Sequence, residues 1–197
     1  MNFAVKEVND QNTEKDFILF PVKLYKDDKN WIRPLDDDIR KVFDKKRNKF
    51  FRHGRATRWL LLDDNQKVIG RIAAFINDKT ANKKNDQPTG GVGFFECINN
   101  QEAANLLFDT GKAWLEEHGM EAMDGPINFG DRNENWGLLV EGFYQPNYGM
   151  PYHKKYYKDL FENYGFQIYF KQYTYHRKIE PNYSGFSERV LDKAKRI

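Results

Sequence analysis

Apolar and polar positions are patterned most clearly in residues 90–129, which predict a strand, a turn, a long helix and a second strand. The apolar run at residues 92–97 follows glycines and is typical of a central strand. Apolar residues then recur at helical spacing up to Gly119, a residue type that often follows the end of a helix. They are Ala103, Leu106, Leu107, Ala113 and Trp114. A helix that connects two neighbouring strands in this way normally makes a right-handed crossover between parallel strands.

The polar turn after the first of these strands predicts how the long helix begins. Asn99 is expected to be the N-cap, and Glu102, three residues later, completes a capping-box pattern. After the helix, residues 121–129 are expected to form a strand with a Gly-Pro turn near its end.

The N-terminal half contains three further predicted units. Residues 17–25 alternate as a first strand, in which Pro21 points to a sheet edge or a bulge. Residues 35–46 predict a helix, because acids at its start and lysines at its end match the helix dipole. Residues 59–62 and 67–76 predict a hairpin, because the residues between them are typical of a turn.

Polar loops and shorter elements fill the rest of the chain. Residues 77–89 and 130–149 lack periodicity and predict loops. Residues 153–163 predict a short helix, residues 166–176 a long aromatic strand, and residues 187–197 the start of another helix.

Composition indicates an intracellular globular domain. The 197 residues include 16% aromatics and carry a net charge of only +3, which argues against a nucleic-acid-binding surface. Residues 45–58 are the most basic stretch, and they predict either a cradle for an anionic ligand or a solvated helix end and loop. One cysteine leaves no internal disulfide or Cys/His metal pattern. No apolar run predicts a membrane span, and no signal-peptide pattern follows Met1, so a cytoplasmic location is expected.

The order of these elements resembles the GNAT N-acyltransferase superfamily. Local phrases are similar to those of an uncharacterised bacterial GNAT-like group: LYKDDKNWIRPL, KFFRHGRA, VIGRIAAFIN, GFFECINNQEAANLLFDTGKAWL, GPINF, GLLVEGF and YYKDLFENYGF. The resemblance covers residues 17–176 and implies an α/β (α+β) fold with a mixed, mostly antiparallel sheet flanked by helices. It implies one GNAT-like domain over residues 1–180, with residues 181–197 leading to a second half.

The resemblance also implies a site for acetyl-CoA or another acyl-CoA. GNAT enzymes hold the coenzyme pyrophosphate with backbone N–H groups between the central strand and the long helix, where helix N-termini favour anions. The matching residues are Cys97, Ile98, Asn99, Asn100 and Gln101. This turn has no glycine and carries Glu102 in the first helical turn, so a well-capped structural helix is the alternative. Asn128 would bind an amide of the pantetheine arm or cap a turn.

Two catalytic residues follow from the resemblance. Glu96, at the end of the central strand, would accept a proton from an amine directly or through water. The alternative for Glu96 is an ordinary exposed residue. Phe161 stands where many members have a tyrosine acid, so Tyr157, four residues earlier on the same helical face, is the candidate acid. The alternative for Tyr157 is core packing.

The implied activity is transfer of an acetyl or acyl group from acyl-CoA to a small-molecule or peptide amine by direct attack. The alternative is a catalytically silent GNAT-like module that binds a ligand or a partner. The expected partners are a second GNAT-like half or a second copy of the chain, and neither nucleic acid nor a membrane is expected.

Overall fold

The computed structural model describes residues 2–83, 85–131, 134–175, 178 and 188–195. The chain divides into two compact units, Met1–Gln167 and Ile168–Ile197. The second unit contains helix α5 (Glu188–Ala194). The first unit contains every other helix and strand named below, and no helix among the described residues has the length and apolarity needed to cross a membrane.

A mixed sheet forms the centre of the first unit. Within the described residues its five strands lie side by side in chain order. They are β1 (Ala4–Glu7), β2 (Gly54–Leu62), β3 (Val68–Asn77), β4 (Thr89–Cys97) and β5 (Ala122–Asp124). Neighbours from β1 to β4 pair antiparallel, and β4 pairs with β5 in parallel. The predicted mixed sheet, the hairpin and the parallel pair are therefore confirmed. Strand β2 begins at Gly54 rather than at residue 59, so the end of the basic stretch at residues 45–58 is a strand and not a loop.

Helices cover both faces of this sheet. They are α1 (Gln11–Leu24), α2 (Asp36–Phe43), α3 (Gln101–Glu117) and α4 (Tyr157–Tyr164). Leu61 and Ile72 pack with α3 and α4, whereas the neighbouring residues Leu60 and Ala73 pack with α1 and α2. Successive side chains of a strand point to opposite faces, so β2 and β3 contribute to both cores.

The prediction of a first strand at residues 17–25 is wrong, because these residues fall in and just after α1. The helix begins earlier, at a capping box in which the Asp10 side chain accepts from the Thr13 N–H at 2.8 Å and Thr13 accepts from the Asp10 N–H. Pro21 lies inside the helix and has no N–H to donate to the carbonyl of Phe17. Arg71 of β3 donates to that carbonyl instead, at 2.6 Å.

The start of α3 also differs from the prediction by one residue. Asn100, rather than Asn99, is the N-cap, and its side chain accepts from the Ala103 N–H at 2.8 Å. Glu102 is then the second residue of the helix, so the predicted capping box is wrong. The other end is confirmed, because Gly119 follows the helix with a φ of +79°, a conformation that glycine adopts without strain.

Several predicted elements are shorter than expected or lie elsewhere. The helix predicted at residues 35–46 is confirmed as α2, but it ends at Phe43. The helix predicted at residues 153–163 begins only at Tyr157. Strand β5 ends at Asp124, immediately before the cis Gly125–Pro126 bond turns the chain.

The long aromatic strand predicted at residues 166–176 is wrong for its described part, which has no strand between residues 166 and 175. Its aromatic side chains in the second unit, including Tyr169 and Tyr175, are exposed. His176 lies outside the described residues, as do Arg132 and Asn133 of the predicted loop at residues 130–149.

A bulge in β4 decides which face its last residues occupy. Arg71 pairs with Glu96, but Ala73 pairs with Gly93, so β4 carries one extra residue between these two positions. Phe94 has a φ of +50° there. The bulge places Phe94 towards α1 while Phe95 packs against α3.

Strand β4 also extends beyond the end of its parallel partner β5. The last β4–β5 pair joins Gly91 to Asp124, and a single bond from the Ile127 N–H to the Val92 carbonyl follows it. Among the described residues no further backbone hydrogen bond joins the two segments, and the end of β4 is instead bonded by the side chains of Tyr156 and Tyr157.

The position of the α3 cap can be tested by mutation. Asn100→Ala removes the side-chain acceptor for the Ala103 N–H and should lower the free energy of unfolding by about 1 kcal/mol. Asn99→Ala, at the exposed residue beside it, should change the free energy of unfolding by less than about 0.5 kcal/mol. Urea unfolding of both variants gives the comparison, and a larger loss for Asn99→Ala would contradict the assignment.

Candidate active site

The carboxylate of Glu96 is the centre of a buried polar cluster. Its side chain lies on the α1 side of the sheet and the residue is only 9% exposed. The hydroxyls of Tyr25 and Tyr157 donate to its Oε2 at 2.8 and 2.7 Å. Arg71 places Nη2 at 3.7 Å from Oε1. Oε2 is therefore held by two donors, whereas Oε1 faces one cation at longer range.

Three different elements supply these partners. Tyr25 directly follows α1, and its backbone N–H donates to the carbonyl of Pro21 at 2.8 Å. Arg71 comes from the middle of β3 and is fixed by its bond to the Phe17 carbonyl. Tyr157 opens α4, where it reaches past the end of β4. The cluster forms only when α1, α4 and the sheet are packed together.

Burial dominates the electrostatics of the cluster. It raises the pKa of Glu96, and the charge of Arg71 and the two tyrosine donors act in the opposite direction. Burial also raises the pKa of Tyr25 and Tyr157 well above the usual value, with the charge of Glu96 as the next cause. The tyrosines therefore hold their protons firmly while Glu96 is ionised.

A small cavity of about 30 Å³ reaches Glu96 from the side of α1 and α2. Its charged lining residues are Arg33, Asp36, Arg71 and Glu96. The apolar residues on its wall are Ile18, Pro21, Val22, Trp31, Pro34 and Ile39. This volume is enough for about one water-sized group beside the carboxylate.

Aromatic and charged side chains close the cluster from outside. Trp31 stacks on Tyr25 with ring centroids 5.0 Å apart, and the Lys154 ammonium lies 4.6 Å from the centre of the Tyr25 ring. Asp28 accepts from the Tyr152 hydroxyl at 2.9 Å and pairs with Lys154 at 3.5 Å. The segment between α1 and α2 is thereby joined to the loop that precedes α4.

Cys97, the first of the predicted coenzyme-binding residues, is fully buried. Its N–H donates to the Tyr157 hydroxyl at 3.0 Å, and its carbonyl accepts from the Tyr156 hydroxyl at 2.7 Å. Burial raises the pKa of its thiol to about 12. Both backbone groups of Cys97 are thus engaged by tyrosines of the chain itself.

The rest of the turn is partly engaged and partly open. The Ile98 N–H donates to the Ile69 carbonyl at 3.0 Å, and Asn100 caps the helix. The Gln101 side chain donates to the Leu160 carbonyl at 3.1 Å, which joins α3 to α4. Asn99 is exposed.

Two backbone amides remain available at the start of α3. Helix geometry leaves the first N–H groups without an intrahelical acceptor. The backbone N–H groups of Gln101 and Glu102 also have no hydrogen-bond acceptor elsewhere among the described residues.

Asn128 supplies an unpartnered buried acceptor. The residue is 7% exposed, and its Oδ1 has no hydrogen-bond partner among the described residues. It follows Ile127, whose N–H bonds to β4 at the point where β4 and β5 separate. Buried polar atoms are normally paired, so an orphaned acceptor at this position suits a ligand N–H.

Sequence reasoning missed Tyr25 and Arg71. Arg71 stands inside the apolar run of β3, and a charged residue in such a run is a usable signal because buried charges need partners. Tyr25 has no comparable signal, because its segment has the alternation of a strand. Phe161, at the position of the family acid, packs against Phe95 and Phe108 in the core.

Two curated proteins resemble this chain in sequence. Protein YghO of Escherichia coli strain K12 is 32% identical over 163 residues, which are 82% of this chain and 41% of that protein. The bacterial ceramide synthase of Caulobacter vibrioides is 33% identical over 132 residues, which are 67% of this chain and 34% of that protein. The chain thus spans less than half the length of either curated relative. No protein-family profile matches the chain.

Solved structures of acetyltransferases share the architecture. Glucosamine-6-phosphate N-acetyltransferase of Arabidopsis thaliana matches with a TM-score of 0.53 at 11% identity, over 90% of this chain and 100% of that one. Aminoglycoside 6′-N-acetyltransferase of Acinetobacter haemolyticus matches with a TM-score of 0.53 at 14% identity, over 91% and 100%. A predicted acetyltransferase of Clostridium acetobutylicum with acetyl-CoA matches with a TM-score of 0.52 at 13% identity, over 89% and 96%. The chain has the GNAT acyltransferase fold.

The buried state of Glu96 makes a prediction about stability. Because the folded pKa is raised above the ordinary 4.5, this group's contribution to stability is complete below 4.5 and is lost as the pH rises through the folded pKa. The free energy of unfolding of the wild type relative to Glu96→Gln should therefore fall with rising pH in that window. The fall should be about 1.4 kcal/mol for each unit that separates the two pKa values.

Urea unfolding at a series of pH values measures this difference. Glu102→Gln, at an exposed carboxylate in the first turn of α3, is the surface control. Identical pH curves for the wild type and Glu96→Gln would contradict the buried, proton-retaining environment of Glu96.

Proposed function

We propose that this chain is an acyl-CoA-dependent N-acyltransferase domain that transfers an acyl group to a small-molecule or peptide amine by direct attack. The observation that carries the proposal is the 2.7 Å hydrogen bond between Tyr157 and Glu96 in a buried site that a cavity reaches. This bond joins the candidate acid directly to the candidate base. The shared fold supports the same conclusion, because solved neighbours include N-acetyltransferases and a complex with acetyl-CoA.

The residues present fit an acyl coenzyme at two points. The open N–H groups of Gln101 and Glu102 lie at the positive end of the α3 dipole, where an anionic pyrophosphate is favoured. The orphaned Oδ1 of Asn128 can accept from an amide N–H of the pantetheine arm. When bound, acyl-CoA supplies a thioester carbonyl for attack and a thiolate as the leaving group.

Glu96 is suited to take the proton that the amine must lose. Its raised pKa brings the carboxylate closer to the operating pH, which improves a general base. The cavity of about 30 Å³ leaves room for the amine itself or for one bridging water beside the carboxylate. Either arrangement is compatible with the proposed attack.

Tyr157 is suited to return a proton to the leaving group. The charge of Glu96 is among the causes that raise the pKa of Tyr157, so protonation of Glu96 by the amine removes that effect. Tyr157 becomes a better acid at the moment when a proton is needed. The 2.7 Å bond also lets protonated Glu96 replace the proton that Tyr157 gives up, which returns the site to an ionised Glu96 and a neutral Tyr157.

A catalytically silent ligand-binding or interaction module is the second candidate. It is favoured by the occupied backbone of Cys97, where two tyrosine hydroxyls take the N–H and the carbonyl. The turn without glycine and the carboxylate of Glu102 point in the same direction. Binding and turnover must therefore be measured separately.

Coenzyme binding is the first prediction of the proposal. Saturating acetyl-CoA should raise the melting temperature of the protein, because a ligand at 100 times its Kd contributes about 2.7 kcal/mol to the folded state. Asn128→Ala should weaken this stabilisation by removing the orphaned acceptor. No shift at millimolar acetyl-CoA, or at the same concentration of a long-chain acyl-CoA, would exclude both coenzyme binding and the transferase.

Turnover is the second prediction. Glu96→Gln and Tyr157→Phe should each lower kcat by about 100-fold or more, because each removes one partner in proton transfer. Tyr164→Phe is the matched control on the same helix, since its hydroxyl bonds to Asp109 at 2.7 Å and not to Glu96. Thiol release from acyl-CoA across a panel of amines measures the rates. Binding of the coenzyme without turnover of any amine would favour the silent module.

A further inference from the structure

We propose that Tyr25 is the positioning residue of Glu96, and that it selects Oε1 as the oxygen that meets the acceptor amine. The inference rests on the proposed function, since it assigns a role within the same site. It starts from an asymmetry in the hydrogen bonds of the carboxylate. Both tyrosine hydroxyls donate to Oε2, at 2.8 Å from Tyr25 and 2.7 Å from Tyr157.

The two oxygens of Glu96 therefore differ in what they can still accept. Oε2 already accepts hydrogen bonds from two hydroxyls, whereas Oε1 has only an ion-pair contact with the Arg71 guanidinium at 3.7 Å. A carboxylate has about four acceptor positions, so Oε1 keeps the greater free capacity. Glu96 and Arg71 both line the cavity that is bordered by α1 and α2. Fixing Oε2 thus presents Oε1 to an incoming group.

Tyr25 can hold this orientation because its own ring is fixed. The ring is 1% exposed and stacks on Trp31 at an interplanar angle of 8°. The ammonium of Lys154 lies over the same ring at 4.6 Å. The backbone of Tyr25 is tied to α1 through its bond to Pro21. Because the Tyr25 ring is already immobilised, its hydroxyl can hold the Glu96 carboxylate with little further loss of side-chain entropy.

Tyr157 cannot fulfil this role alone. Its hydroxyl also accepts from the Cys97 N–H at 3.0 Å, and in the proposed reaction its bond to Glu96 is remade during proton transfer. Tyr25 is also a hydrogen-bond partner of Tyr157, but the proposed reaction moves no proton through its hydroxyl, which donates to Glu96 at 2.8 Å. The oxygen that stays bound throughout the reaction is therefore held by Tyr25.

The ionisation of Glu96 responds to every charged or titratable group around it. Those that face it or share its cavity are Arg71 from β3, Tyr25 beside α1, Tyr157 from α4, Lys154 from the loop before α4, and Arg33 and Asp36 at the start of α2. Tyr25→Phe removes the donor to Glu96 and the hydrogen bond between Tyr25 and Tyr157, and it leaves the other groups in place. Because that donor stabilises the ionised form, its loss should raise the pKa of Glu96.

The test compares Tyr25→Phe with Tyr152→Phe in the whole chain. Tyr152 packs near the Tyr25 ring at 6.3 Å, but its hydroxyl bonds to Asp28. Tyr25→Phe should move the acidic limb of the kcat/KM profile to higher pH by about one unit. The reason is that the loss of one hydrogen bond to the ionised carboxylate should raise its pKa by about one unit. Tyr152→Phe should leave the limb in place. A uniform loss of rate with an unmoved limb would overturn the positioning role.

A second readout does not depend on turnover. The pKa of the Glu96 carboxyl, assigned by its absence in Glu96→Gln, can be followed by carbon NMR in both variants. A higher pKa of the Glu96 carboxyl in Tyr25→Phe, together with no turnover of any amine by the wild type, would support the orientation of Glu96 and defeat the transferase. An unchanged carboxyl pKa in a folded Tyr25→Phe protein would overturn the inference, whatever the activity. Trp31→Ala, which removes the stacking partner, should produce a smaller rise of the same sign.

Discussion

Burial of the Glu96 carboxylate is the constraint on which the rest of the structure depends. An ionised carboxylate without partners is costly to remove from water. The chain meets that cost with Arg71 and with the hydroxyls of Tyr25 and Tyr157. These partners come from β3, from the end of α1 and from the start of α4. A single charged group therefore links two helices to the sheet, in addition to their apolar packing.

Pro21 links the helix to this arrangement. A proline inside a helix leaves one carbonyl without its usual donor. In α1 that carbonyl belongs to Phe17, and Arg71 donates to it at 2.6 Å while also facing Glu96. The irregularity of the helix thus provides the anchor for the cation that balances the buried carboxylate. Tyr25 directly follows the same helix, so this part of the chain supplies both an anchor and a donor.

The elements predicted correctly are those whose signals are local. Strands β2 and β3 with their turn, the strand β4, the long helix α3 and Gly119 were all recognisable from spacing and turn residues. The strand predicted at residues 17–25 is wrong because a short apolar run fits a strand and a buried helix equally well. The capping box that marks the helix lies upstream, at Asp10. The aromatic alternation at residues 166–175 predicted a strand, but a strand also needs a neighbour to pair with, which no local pattern supplies.

The sequence by itself determined the elements from the β2–β3 hairpin to α3, and its resemblance to GNAT proteins brought Glu96 and Tyr157 forward as the candidate base and acid. Only the tertiary structure decided that these two side chains touch, and that Tyr25 and Arg71 complete their surroundings. The physical reason is the bulge in β4, which changes the alternation of faces and turns Glu96 towards α1. Such a shift depends on the register with β3, which is a property of two strands together and is not written in either one alone.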